Sequence, residues 1–348
     1  MSICPKLWRD LFPQRPHPGL LTASPKILLR SSLTPEDLKS FLFMLDQPIF
    51  GIKSVEIISG LNAGLCSTLV NHPLDLIKLR LQLNSHQTSL SGGISSVVKD
   101  IVHLSTRNGR LDSKALIKEF YRGITPNLVG NMASWALYFM CYNEYKTFFE
   151  NPTSSTYLMS GFLAGWSTSI LTNPIWVLKT RMVATHHSTP EGYNSLWEGA
   201  SQILKKEGIS GFWKGLTPAL LNVSQGALQF TLYDTLKDSL YPENQKVLPT
   251  YQYIYVSGIS KIIATVAFYP LQVLRSRMQG FELLKNRQSM SHLVIEIITN
   301  EGVPGLYKGI IPNLMRVLPA TCITLAVYEN TKNLLNGTSN RKNNIDNN

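Results

Sequence analysis

The sequence predicts an all-α membrane protein with six transmembrane helices, built from three tandem repeats related by threefold pseudo-symmetry. One proline motif recurs at Pro73, Pro174 and Pro270, which are 101 and 96 residues apart in a chain of 348 residues. Each copy also holds two apolar stretches near the ~20 residues that cross hydrocarbon. Charged residues make up 16% of the chain, against roughly 25% in soluble proteins.

Each copy carries three motifs in the same order. The first is the proline, with basic residues five and seven positions later. The second is an aromatic-basic-glycine triplet that ends at Gly123, Gly215 and Gly309. The third is a tyrosine with a polar or acidic residue after it and a lysine three positions beyond that residue. A glutamate-glycine pair precedes the second motif at Glu207 and Glu301, whereas copy one has Asn108-Gly109.

The repeats define the domain organisation. The predicted units are a basic, Pro/Ser-rich extension (1–52), three repeats (53–150, 151–242 and 243–336) and a polar tail (337–348). The predicted spans are 55–80, 125–148, 155–182, 217–240, 251–278 and 311–334. Between the two spans of each copy lies a short amphipathic segment, which we expect on the membrane surface. Two spans per copy return the chain to its starting side, so both termini lie on one side.

The first and third motifs predict two rings of interacting side chains. Asp75 and Lys78 are three apart and share a helix face, so threefold rotation lets an acid of one copy meet a base of the next. The first ring, with two bracing glutamines, comprises Asp75, Lys78, Trp176, Lys179, Gln272, Arg275, Gln82 and Gln279. The second ring comprises Asn143, Lys146, Asp234, Lys237, Glu329 and Lys332. Two gates that open alternately give alternating access; the other interpretation is solvated charges at helix ends.

Together, these motifs resemble the signature of the mitochondrial carrier family over about residues 53–335. The resemblance implies a monomeric solute carrier, not an enzyme, in the mitochondrial inner membrane. It places the first ring at the matrix side and the second ring and both termini toward the intermembrane space. It also implies that the segments at Gly123, Gly215 and Gly309 bind cardiolipin phosphates, which a helix N-terminus favours.

The first ring departs from the family pattern. Trp176 and Gln272 occupy acidic positions, so Asp75 is the one acid left, and we expect it to pair with Lys179. Asn143 likewise replaces an acid in the second ring. The run from Pro174 resembles the branch that carries FAD, folate, NAD and pyrimidine nucleotides. Three further runs, at 127–135, 218–228 and 322–330, are most similar to the FAD and folate/FAD carriers of that branch. We therefore predict FAD transport, with folate, NAD or a pyrimidine nucleotide as the alternative.

A solute lacks threefold symmetry, so its contacts should break the repeat. Seven residues after the glycine of each second motif stand Gly130, Asn222 and Arg316, and the resemblance makes these and their neighbours Asn131, Val223 and Val317 contact positions. Arg316 is the one charge between Ile311 and Tyr328. Lys261 lies eleven residues before Gln272, about three helical turns, and so shares its face. An intramembrane cation is a functional candidate by default.

These positions lead to a hypothesis for the site. Arg316 and Lys261 would bind the pyrophosphate of a dinucleotide, and Gly130 would leave room for a ring system. Asn222 and Gln225, with Gln229, would read ring edges. Trp135 and Tyr138 would stack on adenine or isoalloxazine; the other interpretation is packing between helices. For the two cations the other interpretation is a hydrogen bond to backbone carbonyls.

Several function classes find no support in the sequence. The motifs of P-loop nucleotide-binding proteins, zinc metalloproteases and serine hydrolases are absent, so no cofactor or metal is expected, and FAD enters as the transported substrate. A net charge of +11 could indicate nucleic acid, but the basic residues form no recognisable module for it. A proton-conducting or regulatory membrane protein would carry many ionisable residues along its spans, and here they are few. The first fifty residues resemble a targeting stretch, and whether it is cleaved stays open.

Overall fold

The computed structural model describes residues 54–84, 92–107, 110–149, 153–185, 192–193, 195–240, 250–280 and 289–345. The predicted N-terminal extension lies outside these ranges. The described chain is helical apart from turns, short connections and one hairpin, in which β1 (Thr106–Arg107) pairs antiparallel with β2 (Arg110–Leu111). The predicted boundaries of the repeats stay a prediction.

The three copies follow one order of elements. Copy one contains α1 (Ser54–Leu83), α2 (Gly92–Leu104), α3 (Ser113–Phe120) and α4 (Ile124–Phe148). Copy two contains α5 (Ser154–Ala184), α6 (Leu196–Glu207), α7 (Leu216–Asn222) and α8 (Ser224–Leu240). Copy three contains α9 (Thr250–Gln279), α10 (Met290–Glu301), α11 (Ile310–Met315) and α12 (Val317–Ile345).

Copy one differs from the others before its second motif. Copies two and three use 3-10 turns here, Ile209–Trp213 and Val303–Tyr307. Copy one uses the hairpin and α3, which accommodate its extra residues. The carboxylate of Asp112 starts α3 by accepting hydrogen bonds from the backbone N–H groups of Lys114 and Ala115, as an N-cap residue does.

The last span of copies two and three is interrupted, although the sequence predicts continuous helices there. The interruptions fall at Val223 and Arg316, whereas α4 runs unbroken through the matching position, Gly130. Pro319 accounts for one of them, because it has no N–H to donate to the carbonyl of Met315. The interruptions therefore fall at two of the six predicted contact residues.

The amphipathic helices pack on the first span of their own repeats. Ile101 of α2, Ile203 of α6 and Ile297 of α10 are buried in separate clusters with residues of α1, α5 and α9 respectively. Complete burial of such a side chain contributes about 1.5–3 kcal/mol. The predicted apolar faces are thus partly covered by protein, with Leu204 and Ile298 still exposed. Their position at a membrane surface stays a prediction.

Contacts divide the chain into two units. One runs from Ser67 to Cys322, and in it α4 packs along α5, while α7 and α8 pack on α9. The other combines the described residues 54–66 with the described residues 323–345. Within this second unit the side-chain amide of Asn62 donates to Thr331 Oγ1 at 2.9 Å.

Two stretches of the described chain, Tyr255–Gln279 and Val303–Leu334, are long and apolar enough to cross a membrane by length and composition. The six-span topology as a whole stays a prediction. The first span of copy one shows why a predicted span falls short of such a criterion, since Asn71, His72, Asp75 and Lys78 all lie in its second half. Polar residues of this kind lower the apolar content without shortening the helix.

Candidate functional site

The residues of the first ring lie at the proline-containing ends of α1, α5 and α9, and two of its links follow the predicted threefold order. Lys78 Nζ donates to Gln272 Oε1 at 3.0 Å. The guanidinium of Arg275 lies 5.8 Å from the centroid of the Trp176 ring. Each base therefore meets the acidic position predicted for it, although neither position holds an acid. An amide oxygen and an aromatic face serve instead.

Trp176 contacts two cations. Lys179 Nζ lies 5.1 Å from its ring centroid, in addition to Arg275. The indole N–H donates to Thr172 Oγ1 at 3.2 Å, which fixes the orientation of the ring. A cation over an indole contributes about 0.5–2 kcal/mol, depending on its exposure. The tryptophan thus gives this uncharged position an attraction for cations.

The third link differs from the predicted one. Asp75 was expected to pair with Lys179, and that pairing was wrong: its carboxylate forms an ion pair with Arg316. Lys179 Nζ instead donates to Asn127 Oδ1 at 2.7 Å. Linear spacing does not show that the interruption between α11 and α12 brings a guanidinium to α1. Its several donors bind a carboxylate more strongly than a single ammonium does.

The two glutamines connect pairs of repeats next to this ring. Gln82 Nε2 donates to the Tyr269 hydroxyl at 3.1 Å, and its Oε1 accepts from Ser276 Oγ at 2.7 Å. In the second pair, Gln279 Oε1 accepts from Thr180 Oγ1 at 2.9 Å. Both glutamines are buried, so their hydrogen bonds are shielded from water.

Lys261 has an ammonium without a protein partner. Within the described part of the chain, it makes no hydrogen bond or ion pair. In the described ranges, neither Lys261 nor Arg316 donates a hydrogen bond to a backbone carbonyl. The other interpretation of these two cations therefore finds no support there. Arg316 pairs with Asp75, and Lys261 pairs with no carboxylate of the described chain, so positive charge is in excess and favours an anionic ligand.

Gly130 does not leave the predicted space for a ring system. A Cβ built there would lie 3.2 Å from Ile175 Cγ2 and 3.4 Å from the Trp176 indole. The indole occupies the space because α4 packs closely on α5. The next residue, Asn131, donates from Nδ2 to Thr68 Oγ1 at 3.4 Å.

Gln225 extends the first ring rather than standing free to read a ligand. Its Oε1 accepts from Gln272 Nε2 at 3.1 Å, and its Nε2 donates to Thr265 Oγ1 at 3.2 Å. Its amide is therefore already used in this conformation. Asn222 differs, because its Oδ1 is buried and has no hydrogen-bond partner among the described residues.

The remaining predicted contact residues are packed against protein. Val223 touches Gly165, where a Cβ would lie 2.7 Å from Val223 Cγ1, and Val317 is buried. Trp135 stacks on Phe139 at 5.4 Å between centroids, and Tyr138 stacks on Tyr142 at 6.1 Å. Both stacks join residues four apart on α4, so one face of each predicted stacking residue is covered.

The second ring is not formed from ion pairs in the described chain. Asp234 and Glu329 are exposed and take part in none of the ion pairs of the described residues. Lys146 Nζ lies 5.3 Å from the Tyr157 ring centroid, and Lys332 Nζ lies 5.6 Å from that of Tyr328. The remaining members, Asn143 and Lys237, are half-buried. Its role as a gate stays a prediction.

The glycines of the second motif allow close approach to the first ring. Gly123, Gly215 and Gly309 have φ of 76°, 71° and 80° and are buried. A Cβ at Gly309 would lie 2.8 Å from the Lys78 carbonyl oxygen, and one at Gly215 would lie 3.0 Å from that of Arg275. These contacts give the glycines a packing role, and their binding of cardiolipin stays a prediction.

Each copy also has a buried ion pair that joins the first span to the segment after it. Glu207 binds Arg181 through both oxygens and Lys214 at 2.7 Å. Burial by itself raises the pKa of the Glu207 carboxyl, but these two cations hold it below the ordinary value. Glu301 does the same with Arg277 and Lys308, each at 2.5 Å, and its pKa is lowered for the same reason.

In copy one, sequence reasoning missed the corresponding acid. Asn108 and Gly109 lie outside the described residues. Glu119 of α3 takes the role, with an oxygen 3.3 Å from Arg80 Nη2. The signal available was an acid three positions before Arg122, on the predicted approach to the second motif. Arg122 itself donates to the Met182 carbonyl at 2.6 Å and so caps the end of α5.

Comparison with known proteins places this arrangement among transporters. A family model described as mitochondrial carrier protein matches residues 54–153, 150–244 and 246–339. The chain is 39% identical over 304 residues to the mitochondrial FAD carrier protein FLX1 of Saccharomyces cerevisiae, covering 80% of this chain and 96% of that one.

Two further relatives carry other transporter names. Identity is 33% over 290 residues to nicotinamide adenine dinucleotide transporter 2, mitochondrial, of Arabidopsis thaliana, covering 78% of this chain and 77% of that one. It is 30% over 298 residues to folate transporter 1, chloroplastic, of the same plant, covering 80% and 94%. The names of these relatives thus include FAD, a nicotinamide dinucleotide and folate.

Proposed function

The chain belongs to the mitochondrial carrier family, a family of transporters, and we propose that it carries FAD across the mitochondrial inner membrane by alternating access. One observation supports an anionic substrate above all others: the ammonium of Lys261 has no protein partner in the described chain, and the side chain of Arg316 is still 36% exposed. A pyrophosphate supplies two negative charges and several acceptor oxygens. The similarity to a protein named as an FAD carrier supports the choice of FAD.

The proposal includes an arrangement in the membrane. The chain crosses six times, with both termini toward the intermembrane space, and acts as a monomer with cardiolipin at the second-motif glycines. The ring of Asp75, Lys78, Trp176, Lys179, Gln272 and Arg275 is the matrix gate. In the conformation described, its links from α9 to α1 and to α5 are made, and Asp75 is paired with Arg316. Substrate therefore enters from the opposite, cytoplasmic side. FAD is cargo rather than a resident cofactor.

NAD is the second candidate, because it carries the same pyrophosphate and relatives include nicotinamide dinucleotide transporters. Folate and pyrimidine nucleotides complete the alternatives. The deciding experiment is reconstitution of the full chain into liposomes, with uptake of FAD, FMN, riboflavin, folate, NAD and UTP measured in parallel. We expect FAD to be taken up fastest; uptake of NAD or UTP without flavins would replace the proposed substrate.

Two substitutions test the site itself. Lys261→Gln and Arg316→Gln each remove one cation, and we expect each to lower FAD uptake at least about tenfold, as loss of a charge-assisted contact of ~1.4 kcal/mol does. Lys118→Gln is the matched control, since Lys118 is an exposed lysine of α3. Normal FAD uptake by the Lys261→Gln/Arg316→Gln double variant would contradict the proposed site.

A further inference from the structure

The Asp75–Arg316 ion pair connects the matrix gate directly to the proposed substrate site. Asp75 belongs to the gate, and Arg316 stands at the interruption between α11 and α12. The carboxylate side chain is 13% exposed and that of Arg316 is 36% exposed. The arginine is thus still reachable by a ligand while its protein partner is largely covered.

The three gate cations do not depend on Asp75 for their contacts. Lys78 binds the Gln272 amide, and Lys179 binds the Asn127 amide. Arg275 lies over the Trp176 ring. All these partners are uncharged. In the described part of the gate, the pair with Arg316 is therefore the link in which a carboxylate and a cation meet.

A guanidinium binds carboxylate and phosphate oxygens through the same N–H donors. The side chain of Asp75 thus occupies Arg316 in the way a phosphate of the substrate would. Building on the proposed function, we propose that Asp75 is an internal competitor for this anion site, and that a phosphate-bearing substrate must displace it from Arg316. Lys261 provides a second cation that the substrate can use and that Asp75 leaves unpaired.

This competition has two consequences. The apparent affinity for a phosphate-bearing ligand is reduced by the fraction of protein in which Arg316 is free. Displacement also removes the charged link between α1 and the interruption at Arg316, so the ligand that binds is the one that loosens the gate. An uncharged ligand such as riboflavin competes for neither Arg316 nor Lys261. Asp75 is thereby a specificity-determining residue.

The test is a double-mutant cycle read by equilibrium binding. The full chain is purified in detergent as wild type, Asp75→Asn, Arg316→Gln and the double variant, and titrated calorimetrically with FAD, inorganic pyrophosphate and riboflavin. We expect Asp75→Asn to tighten binding of FAD and pyrophosphate about five- to fiftyfold, a typical coupling between sites. Most of that gain should disappear in the Arg316→Gln background, and riboflavin affinity should not change.

Several results would overturn the inference. An equal gain in affinity from Asp75→Asn with and without Arg316→Gln would mean that Asp75 acts by repulsion at a distance. Weaker binding of FAD and pyrophosphate by Asp75→Asn would mean that Asp75 positions Arg316. Unchanged binding would mean that Asp75 has no effect on the site. Asp75→Ser is the second variant if Asp75→Asn does not fold. Asp238→Asn, an exposed carboxylate of α8, is the control and should leave affinity unchanged.

Failure of the proposed substrate gives a different pattern. If wild type binds no FAD but Asp75→Asn still tightens pyrophosphate binding in an Arg316-dependent way, FAD is the wrong cargo and the competition stands. If FAD binds and Arg316→Gln weakens it without any gain from Asp75→Asn, the substrate site stands and the competition is wrong.

Discussion

The strongest stability prediction concerns Glu207, which holds together the proline-containing end of copy two. Its two oxygens bind Arg181, whose side chain is 0% exposed, and one of them also binds Lys214. Glu207→Gln keeps the shape but removes the charge, which leaves a buried guanidinium without its counter-ion. Breaking a buried ion pair from one side costs about 3–5 kcal/mol.

The three copies provide an internal scale for this prediction. Glu301 binds two cations in the same way, whereas the contact of Glu119 with Arg80 is longer, at 3.3 Å. We expect Glu207→Gln and Glu301→Gln to lower the free energy of unfolding similarly. Glu119→Gln should cost less, about 1–3 kcal/mol, because its contact with Arg80 is longer than those of the other two carboxylates.

Thermal unfolding of the detergent-purified chain is the assay, followed through the reaction of its cysteines with a thiol-specific fluorophore. Cys66 and Cys141 are half-buried free thiols that unfolding makes reactive. Glu144→Gln, an exposed carboxylate of α4, is the control. A Tm for Glu207→Gln no lower than the Tm of this control, or a larger loss for Glu119→Gln than for Glu207→Gln, would refute the reasoning.

Three further predictions test other parts of the structure. Because the pKa values of Glu207 and Glu301 are lowered in the folded chain, their contribution is complete above the unfolded value near 4.5 and is lost as the pH falls through the lower folded values. The Tm should therefore drop steeply below about pH 4.5, and less steeply in the Glu207→Gln/Glu301→Gln variant; equal slopes would contradict this. Gly309→Ala places a Cβ 2.8 Å from the Lys78 carbonyl at φ 80° and should lower the free energy of unfolding by about 1–3 kcal/mol. In α8, a Cβ at Gly226 would meet nothing within 4 Å, so Gly226→Ala should raise it by about 0.4–1 kcal/mol. Tm measurements on both variants compare the two sites. Trp176→Glu should replace weak ring contacts by ion pairs with Lys179 and Arg275, strengthen the closed matrix gate and slow FAD exchange in liposomes; unchanged exchange would show that this link does not limit opening.

Much of the site was predictable because the repeats are visible in the amino-acid sequence itself. The recurrence of the proline and glycine motifs located the gate residues and the segments that pack beneath them. It also identified Trp176 and Gln272 as exceptions, since a departure is visible only against a repeat. What replaces their missing charges, an aromatic face and an amide oxygen, needed the contacts of Arg275 and Lys78.

Other features depend on distances that no spacing rule contains. The partner of Asp75 lies 241 residues along the chain, so only folding shows that Arg316 is nearer to it than the expected lysine. From the sequence, a glycine at position 130 predicts open space for a ligand, but the indole of Trp176 fills that space. Glu119 replaces an acid that the motif of copy one lacks, because α3 carries it to Arg80.

The sequence by itself determined the three repeats and the side chains that carry charge within their apolar stretches. These follow from periodicity, which a helix converts directly into faces and lengths. Only the tertiary structure decided which charge meets which: the carboxylate at the gate joins the arginine at the proposed anion site. Coulomb attraction and hydrogen bonding act over a few ångströms, and those distances are set by how α1 packs beside the interruption between α11 and α12.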